Sequence, residues 1–426
     1  KQDTVLEALL SAGADPNLQN NKGETPLHTM GDDTKVELIS ELVKAGADLE
    51  IRDFKGQTTL FKSLPGHSKG IPNFSKSLIN LGARLDTRDN KGRTLFHKVV
   101  CKVEALDDLI KMMDFDPSVA DNEGNTLFLE AAFATIRSDS TPIFKHLKSL
   151  GVDIDHPNSY GWTVLHQMSF QNQTHWDRSP SAETTFDYVL GECKNKSPQD
   201  TDGIQPLHIA AAVSEDNVFG LLCSGADMFA VTKEGMTVLH VAARARQPGT
   251  VGLVLSRMID LDDETRNTFI NQKNVEGDTA LHFACSSGRP ETVDLLLNAG
   301  ADPNLPGKDG YTALRACVNF EMEQVRWKKM GKIEDAKSLK TASIWLGIRS
   351  LPPAKDESEE GAKESQWRSN SEKDASSSTR LDEILTSLVL HSKNPSSDKE
   401  SLWEAFQEAV SNQRDYTAEC LLRIQN

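Results

Sequence analysis

A six-residue phrase, Gly-x-[Thr/Gln]-x-[Leu/Phe]-[His or a variant], recurs nine times along this chain of 426 residues. The clearest copies are residues 23–28, 235–240 and 277–282. The others start at Gly56, Gly92, Gly124, Gly161, Gly203 and Gly310. Successive copies lie 33, 36, 32, 37, 42, 32, 42 and 33 residues apart, so a unit of about 33 residues is lengthened in places by surface insertions. Such a period predicts a solenoid, in which each unit buries its apolar face against its neighbours.

The residue types of the phrase suit the start of a helix. Thr25 suits the N-cap, where its hydroxyl accepts from a free backbone N–H, and Pro26 suits the first helical position, which needs no N–H. Further along each unit an apolar helix ends in Gly-Ala-Asp, where the glycine suits the left-handed conformation that closes a helix. Four such segments are Leu9–Asp15, Leu42–Asp48, Leu221–Asp227 and Leu295–Asp302.

Together the phrase and these helix ends resemble the ankyrin-repeat family over roughly residues 1–350. The resemblance implies an all-α ankyrin-repeat solenoid, whose unit is a turn followed by two antiparallel helices. It also implies that the histidines hydrogen-bond across the turns in a structural role. The signature residues are Thr25, Pro26, Leu27, His28, His97, His166, His208, Thr237, His240, Thr279 and His282. Three divergent copies replace the histidine with Phe61, Leu129 or Arg315.

The pattern divides the chain into three regions. Residues 1–350 are predicted to form the repeat array, which opens inside a second helix, as a fragment would. Residues 351–380 are rich in Ser, Lys, Glu and Asp and are predicted to be a disordered linker. Residues 381–426 regain a helical period and are interpreted as a helical pair, a divergent ankyrin-like unit without the turn phrase. The stack is expected to continue beyond Asn426.

Charge and motifs argue against several classes of function. The net charge of -16 disfavours nucleic acid or an anionic membrane as the main ligand, because both need clustered positive charge. The sequence has no apolar run of the roughly 18 residues that a membrane span needs. It also has no phosphate loop, dinucleotide fingerprint or metal-protease pair, so we expect no enzyme activity, cofactor, metal or small-molecule substrate.

The cysteines form no close pair and have no metal-type spacing. We interpret them as reduced, mostly buried thiols of an intracellular protein, cytoplasmic or nuclear. Cys223 and Cys285 in particular are expected to be small core residues. The six are Cys101, Cys193, Cys223, Cys285, Cys317 and Cys420.

Two copies carry insertions. The first, residues 171–181, contains Trp176 among polar residues and is predicted to be an exposed loop that could carry specificity. The second, residues 260–271, is rich in acidic residues and is predicted to be a short extra helical turn. A metal site is the alternative there, although the spacing matches no calcium loop.

The residue after each turn glycine gives a candidate binding surface. In chain order these residues are Glu24, Gln57, Arg93, Asn125, Trp162, Ile204, Met236, Asp278 and Tyr311. Three consecutive large apolar residues, Trp162, Ile204 and Met236, are expected to face solvent as one row for a partner, supported by the adjacent Tyr160. The alternative is that this position packs against the next turn.

The residue before each turn glycine changes sign along the chain. It is Lys22, Lys55 and Lys91 in the first three copies and mostly acidic afterwards. This gradient would orient a partner of opposite polarity. The alternative is that charged residues are simply ordinary at turn tips.

These observations predict a non-enzymatic scaffold or adaptor that binds other proteins on its concave face and turn tips. The alternative is the recognition or regulatory arm of a larger multidomain protein, such as an enzyme, a channel or a component of the ubiquitin system. The resemblance implies both equally well, because a shared fold does not by itself fix a function.

Overall fold

The computed structural model describes residues 9–32, 34–64, 70–134, 141–170, 184–245, 248–313 and 315–316. This part of the chain is helical and contains no β-strand, only two isolated bridge pairs. In chain order the helices are η1 (Pro26–Thr29), α1 (Val36–Lys44), α2 (Thr59–Ser63), α3 (Asn73–Asn80), α4 (Leu95–Val99), α5 (Val103–Met112), α6 (Leu127–Ala134), α7 (Thr141–Ser149), α8 (Val164–Ser169), α9 (Thr185–Glu192), α10 (Pro206–Val213), α11 (Glu215–Cys223), α12 (Val238–Arg244), α13 (Pro248–Ser256), α14 (Asp263–Ile270), α15 (Ala280–Ser287), α16 (Pro290–Asn298) and η2 (Lys308–Gly310).

The helices begin and end where the sequence pattern places them. Each of the eight phrases from Gly23 to Gly277 leads into a short first helix. In several of them the Thr or Gln takes an extended conformation and caps the helix; the Thr237 hydroxyl, for example, accepts from the backbone N–H of His240. The second helix of several units ends at a glycine with positive φ, as at Gly46 (+94°) and Gly300 (+103°). A turn, its first helix and its second helix are called a repeat below.

The described residues cluster into two compact units. Unit 1 lies within Lys1–Met168 and Arg178–Lys194, and unit 2 lies within Ser169–Asp177 and Asn195–Asn426. In unit 2 the first helix α12 contacts its own second helix α13 and the neighbouring first helices α10 and α15. In unit 1 helix α4 likewise contacts α5 and α6. Each repeat therefore completes its core with its neighbours inside the unit.

Small and large apolar residues alternate in this core. Leu207, Ala210 and Ala211 on α10 are all buried, and Leu221 on α11 and Leu296 on α16 are completely shielded from solvent. The two alanines allow neighbouring first helices to approach closely, and the leucines of the second helices fill the remaining space. Each short helix is thus stabilised by packing more than by its own length.

The insertion after α13 forms a helix, α14. Asp262 caps it by accepting from the N–H of Thr265 at 2.8 Å, and Arg266 donates to the carbonyls of Met258 and Leu261 at 3.2 and 2.7 Å. The acidic residues therefore serve a helix: Asp262 caps its first turn and Asp263 pairs with Arg266. Nowhere in the described ranges do three or more His, Cys, Asp or Glu side chains converge as they would around a metal ion.

The burial of the described cysteines corrects one part of the sequence prediction. Cys193 and Cys285 are buried, and Cys101 is half-buried. Cys223 is exposed, so the prediction that it is a small core residue was wrong. It is the last residue of α11, where the helix presents its side chain outward beside the guanidinium of Arg257, 2.9 Å from Sγ.

Several predictions fall on residues outside the described ranges. They are Trp176 with the rest of the first insertion, Cys317, Cys420, the linker 351–380 and the helical pair 381–426. Among the helices that are described, none combines the length and the apolar character needed to cross a membrane.

Candidate functional site

An Asp or Asn three residues before the turn glycine shapes most of the turns. Asp53 Oδ1 accepts from the backbone N–H groups of Lys55 and Gln57, both at 2.9 Å. The same pair of hydrogen bonds is made by Asn20, Asp89, Asp121, Asn158 and Asp200. Asn and Asp favour such turns because their side chains accept from backbone N–H groups two or more residues ahead. We missed these residues in the sequence, although they precede the glycine at a constant distance.

Successive turns inside each unit are joined by backbone hydrogen bonds. In unit 1 the N–H of Phe54 donates to the carbonyl of Lys22 at 3.1 Å, and the N–H of Asn90 donates to that of Lys55 at 3.0 Å. In unit 2 the N–H of Val275 donates to the carbonyl of Glu234 at 2.9 Å. The turn tips consequently form a regular row with a fixed backbone in each unit.

The phrase histidines connect one turn to the next. His28 Nδ1 accepts from the N–H of Thr25 at 3.2 Å, so the neutral ring carries its proton on Nε2 and donates it to the carbonyl of Gln57 at 3.1 Å. His97 and His240 make the same pair of bonds, to the carbonyls of Asn125 and Asp278. His208 and His282 also bridge to a later carbonyl. These are the cross-turn bonds that the ankyrin resemblance implies.

Burial keeps these rings neutral. Desolvation lowers the pKa of His97, His208 and His240 to about 4 in each case, and it lowers that of His28 and His282 as well. All six phrase histidines, including His166, are almost fully shielded from solvent. A ring whose two nitrogens are occupied by backbone groups, away from solvent, is placed to hold turns together and has no access to a substrate.

The expected exposed row of Trp162, Ile204 and Met236 does not exist. Their exposed fractions are 1%, 1% and 6%, so the prediction that they face solvent was wrong. The physical reason is the turn itself: the side chain three residues before the turn glycine accepts from the backbone N–H of this position, as Asn158 does from Trp162 at 2.9 Å and Thr232 from Met236 at 3.2 Å. The side chain then lies in the protein interior, where the Trp162 ring stacks on that of His166 with ring centres 5.0 Å apart.

In the four repeats before Trp162 the same position is filled by charged and polar residues. Glu24 Oε1 accepts from the ammonium of Lys62 at 2.6 Å, and this bond, with one from Asn20, lowers the pKa of Glu24 to about 2. Arg93 pairs with Asp89 through two nitrogens at 2.8 and 3.0 Å. Its guanidinium also lies 4.0 Å from Glu130 on the next first helix. We call this position, one residue after the turn glycine, the slot.

The residues before the turn glycine do reach solvent. Lys22, Lys55 and Lys91 are exposed, as are Glu234 and Glu276. Tyr160 is half-buried, and Tyr311 is exposed with the guanidinium of Arg315 over its ring at 4.1 Å. The charged tips are accessible from solvent, and so is Tyr311, which occupies the slot position after Gly310.

Long side chains just before each turn join neighbouring repeats of unit 1. Gln19 donates to the carbonyl of Arg52, Arg52 to that of Arg88, and Arg88 to that of Ala120, all at 2.9 Å. In unit 2 Lys273 donates in the same way to the carbonyl of Pro306. Much of the positive charge beside the turns therefore binds backbone carbonyls and is not a free recognition surface.

Residues 276–308, which contain one turn phrase with α15 and α16, match the family model of the ankyrin repeat. The chain carries an ankyrin repeat. The match supports an ankyrin-repeat protein, in agreement with the resemblance of the turn phrase. Ankyrin repeats are generally protein–protein interaction modules and are typically non-enzymatic. A comparison with curated proteins finds no match.

Proposed function

We propose that this ankyrin-repeat chain is a non-enzymatic scaffold or adaptor whose repeats stack as a solenoid and bind partner proteins on the concave face and turn tips. The observation that carries the proposal is the row of turn tips. Its backbone is fixed by turn-to-turn hydrogen bonds, while charged side chains such as Lys55 and Glu276 extend into solvent. A rigid frame with projecting side chains binds a partner at low conformational cost.

The tip row supplies charge for recognition. Lys22, Lys55 and Lys91 occupy equivalent exposed positions in three successive repeats of unit 1. In unit 2 the equivalent exposed residues include Glu234 and Glu276. We propose that this change of sign orients a partner of the opposite polarity, since complementary charge guides encounter and sets register.

We also propose that the protein works inside the cell. The six cysteines form no close pair along the sequence and have no metal-type spacing, and Cys193 and Cys285 are buried. Reduced thiols of this kind are usual in the cytoplasm and nucleus. The resemblance to the ankyrin-repeat family favours neither of these two compartments.

Affinity capture from an extract of the source cells, read by quantitative mass spectrometry, tests the binding role. The full chain is compared with a Lys22→Glu/Lys55→Glu/Lys91→Glu variant of the tips. A matched variant reverses three exposed lysines on the second helices, namely Lys44→Glu/Lys76→Glu/Lys111→Glu. Circular dichroism verifies that both are folded.

We expect the tip variant to lose specific partners and the second-helix variant to retain them. The affinity of the native chain should also fall as salt is raised, because exposed charges are screened. Partners lost only from the second-helix variant would contradict the assignment of the binding face. A native chain that enriches no protein at all would contradict the binding function itself.

A further inference from the structure

One turn tip in unit 1 breaks the pattern of its neighbours. At the position two residues before the turn glycine, Asn90 donates through Nδ2 to the carbonyl of Phe54 at 2.9 Å. Asn122, one repeat later, donates in the same way to the carbonyl of Asn90 at 3.1 Å. Phe54 occupies this position in the second repeat, and its ring cannot make the corresponding hydrogen bond. The chain has an aromatic side chain where a bonding amide would stabilise the turn row.

The Phe54 ring is exposed and held in place. Its exposed fraction is 68%, although phenylalanine is among the residues most often buried. Its backbone is bonded on both sides, through the N–H to Lys22 and through the carbonyl to Asn90. The ring lies over Gly23, since a Cβ at that glycine would stand 2.6 Å from Cδ1 of the ring. A large apolar side chain is therefore presented to solvent from a rigid turn.

The surroundings of Phe54 are positively charged. Lys55 follows it in the chain, Lys22 accepts its N–H, and Lys91 occupies the tip of the next repeat. Two acidic side chains lie close by: Glu24 binds Lys62 and also interacts electrostatically with Lys22, and Asp53 binds two backbone N–H groups of its own turn. The surface thus combines one apolar ring with a row of lysines.

We propose that Phe54 with Lys22, Lys55 and Lys91 forms a docking surface for an extended acidic segment of a partner protein, with an apolar side chain of that segment covering the ring. This rests on the proposed protein-binding function and specifies the partner's chemistry. An exposed aromatic residue on a rigid frame supplies the apolar contact, and the lysines select carboxylates by charge complementarity.

The repeat spacing sets the spacing of the carboxylates. Packed helices of neighbouring repeats lie about 8–10 Å apart, so lysines at equivalent tips follow one another at about that interval. An extended chain advances about 3.3 Å per residue, so every third residue of the partner meets the next tip. The segment that fits carries Asp or Glu at every third position, with a Leu or Phe between two of them.

The same turn position in unit 2 provides a matched control. Val275 is 76% exposed there and, like Phe54, cannot make the amide bond, but it is flanked by Glu234 and Glu276. An acidic segment should be repelled by these tips. Substituting Val275 therefore changes an equivalent exposed apolar residue without changing the proposed surface.

Fluorescence anisotropy with the full chain tests the proposal. The probe is a labelled twelve-residue peptide with Glu at every third position and a central Leu, alongside one peptide with Gln for each Glu and one with Ser for Leu. The chains are the native protein, Phe54→Asn, Lys22→Gln/Lys55→Gln/Lys91→Gln and Val275→Asn. Phe54→Asn installs the residue found at Asn90 and Asn122, so its fold should be retained, which thermal melting verifies.

We expect the native chain and Val275→Asn to bind the acidic peptide equally. Phe54→Asn and the triple lysine variant should each weaken binding about tenfold or more, and the Gln and Ser peptides should bind the native chain correspondingly less well. The proposal would be overturned if Phe54→Asn bound the acidic peptide as tightly as the native chain does. It would also be overturned if the native chain did not bind the acidic peptide. If partner capture still depends on the lysines in that case, the general binding function stands and only the acidic segment is wrong.

Discussion

The slot holds paired charge at Glu24 and Arg93 of unit 1 and apolar side chains at Ile204 and Met236 of unit 2. In unit 1 the slot holds Glu24, bonded to Lys62 at 2.6 Å, and Arg93, paired with Asp89 at 2.8 Å. In unit 2 it holds Ile204 and Met236, which are nearly inaccessible to solvent. Glu24 and Arg93 are half-buried, whereas Ile204 and Met236 are buried. The repeat therefore fixes the place of the residue in the turn and leaves open how far it is buried and whether paired charge or apolar contact stabilises it.

An exchange of the two chemistries should produce the largest effect. Ile204→Glu places a carboxylate in an apolar slot without a partner, and we expect it to destabilise unit 2 by about 3–5 kcal/mol. Glu24→Ile removes one partner of a partly exposed ion pair and should cost less than about 1 kcal/mol, because such pairs contribute little to stability. Urea unfolding, with hydrogen exchange as the readout for each unit, measures the destabilisation caused by each of the two substitutions. Equal costs would show that the two slots are equivalent after all.

Acid should destabilise the fold through the histidines of the turns. For His97, His208 and His240 the folded pKa of about 4 lies below the ordinary value near 6.5, so the unfolded chain takes up protons first as the pH falls. Stability is complete above about pH 6.5, is lost between there and about pH 4, and changes no further below that. Each such histidine accounts for a loss of about 3 kcal/mol in the free energy of unfolding over this range.

This acid effect should differ between the units. Of the three histidines whose pKa is lowered to about 4, His208 and His240 lie in unit 2 and His97 lies in unit 1. We expect unit 2 to open first when hydrogen exchange is compared at pH 7 and pH 5. His208→Gln should reduce the pH dependence of unit 2, and an unchanged dependence would contradict the role of this ring.

Removing the acceptor at the start of a turn gives an intermediate effect. Asp89 accepts from the N–H groups of Lys91 and Arg93 and from the Arg93 guanidinium, so Asp89→Ala should cost about 2–3 kcal/mol. Thr232 accepts one N–H, that of Met236 at 3.2 Å, and Thr232→Ala should cost about 1 kcal/mol. Thermal unfolding of the two variants tests the difference, and a larger cost for Thr232→Ala would contradict it.

The smallest effect is expected at the Glu24–Lys62 pair. Lys62→Met removes the largest cause of the low pKa of Glu24, which should rise from about 2 towards 4.5. Stability should change by less than about 1 kcal/mol, because the pair is partly exposed. The lowered pKa stabilises the fold above about pH 4.5, and this contribution is lost as the pH falls towards 2. NMR titration of the Glu24 carboxyl in Lys62→Met measures this pKa. A value that stays near that of the native chain would contradict the prediction.

The sequence predicts the frame of the repeats better than their surface. The glycines, capping threonines and phrase histidines recur at fixed positions, because each meets a local requirement of the turn or the helix start. The outward direction assumed for Trp162 failed because it depends on how Asn158 bonds the turn, which a count from the glycine does not reveal. Phe54 was missed for a related reason: its importance appears only when Asn90 is seen to make the bond that Phe54 cannot make.

The central claim, that partners bind at the turn tips, is tested most directly by site-specific photo-cross-linking in source-cell extract. A photoreactive residue replaces Asn21, which is exposed at the first tip beside Lys22, or Lys76, which is exposed on the second helix α3. We predict covalent partner adducts from position 21 and none above background from position 76. Adducts from position 76 with none from position 21 would contradict the account.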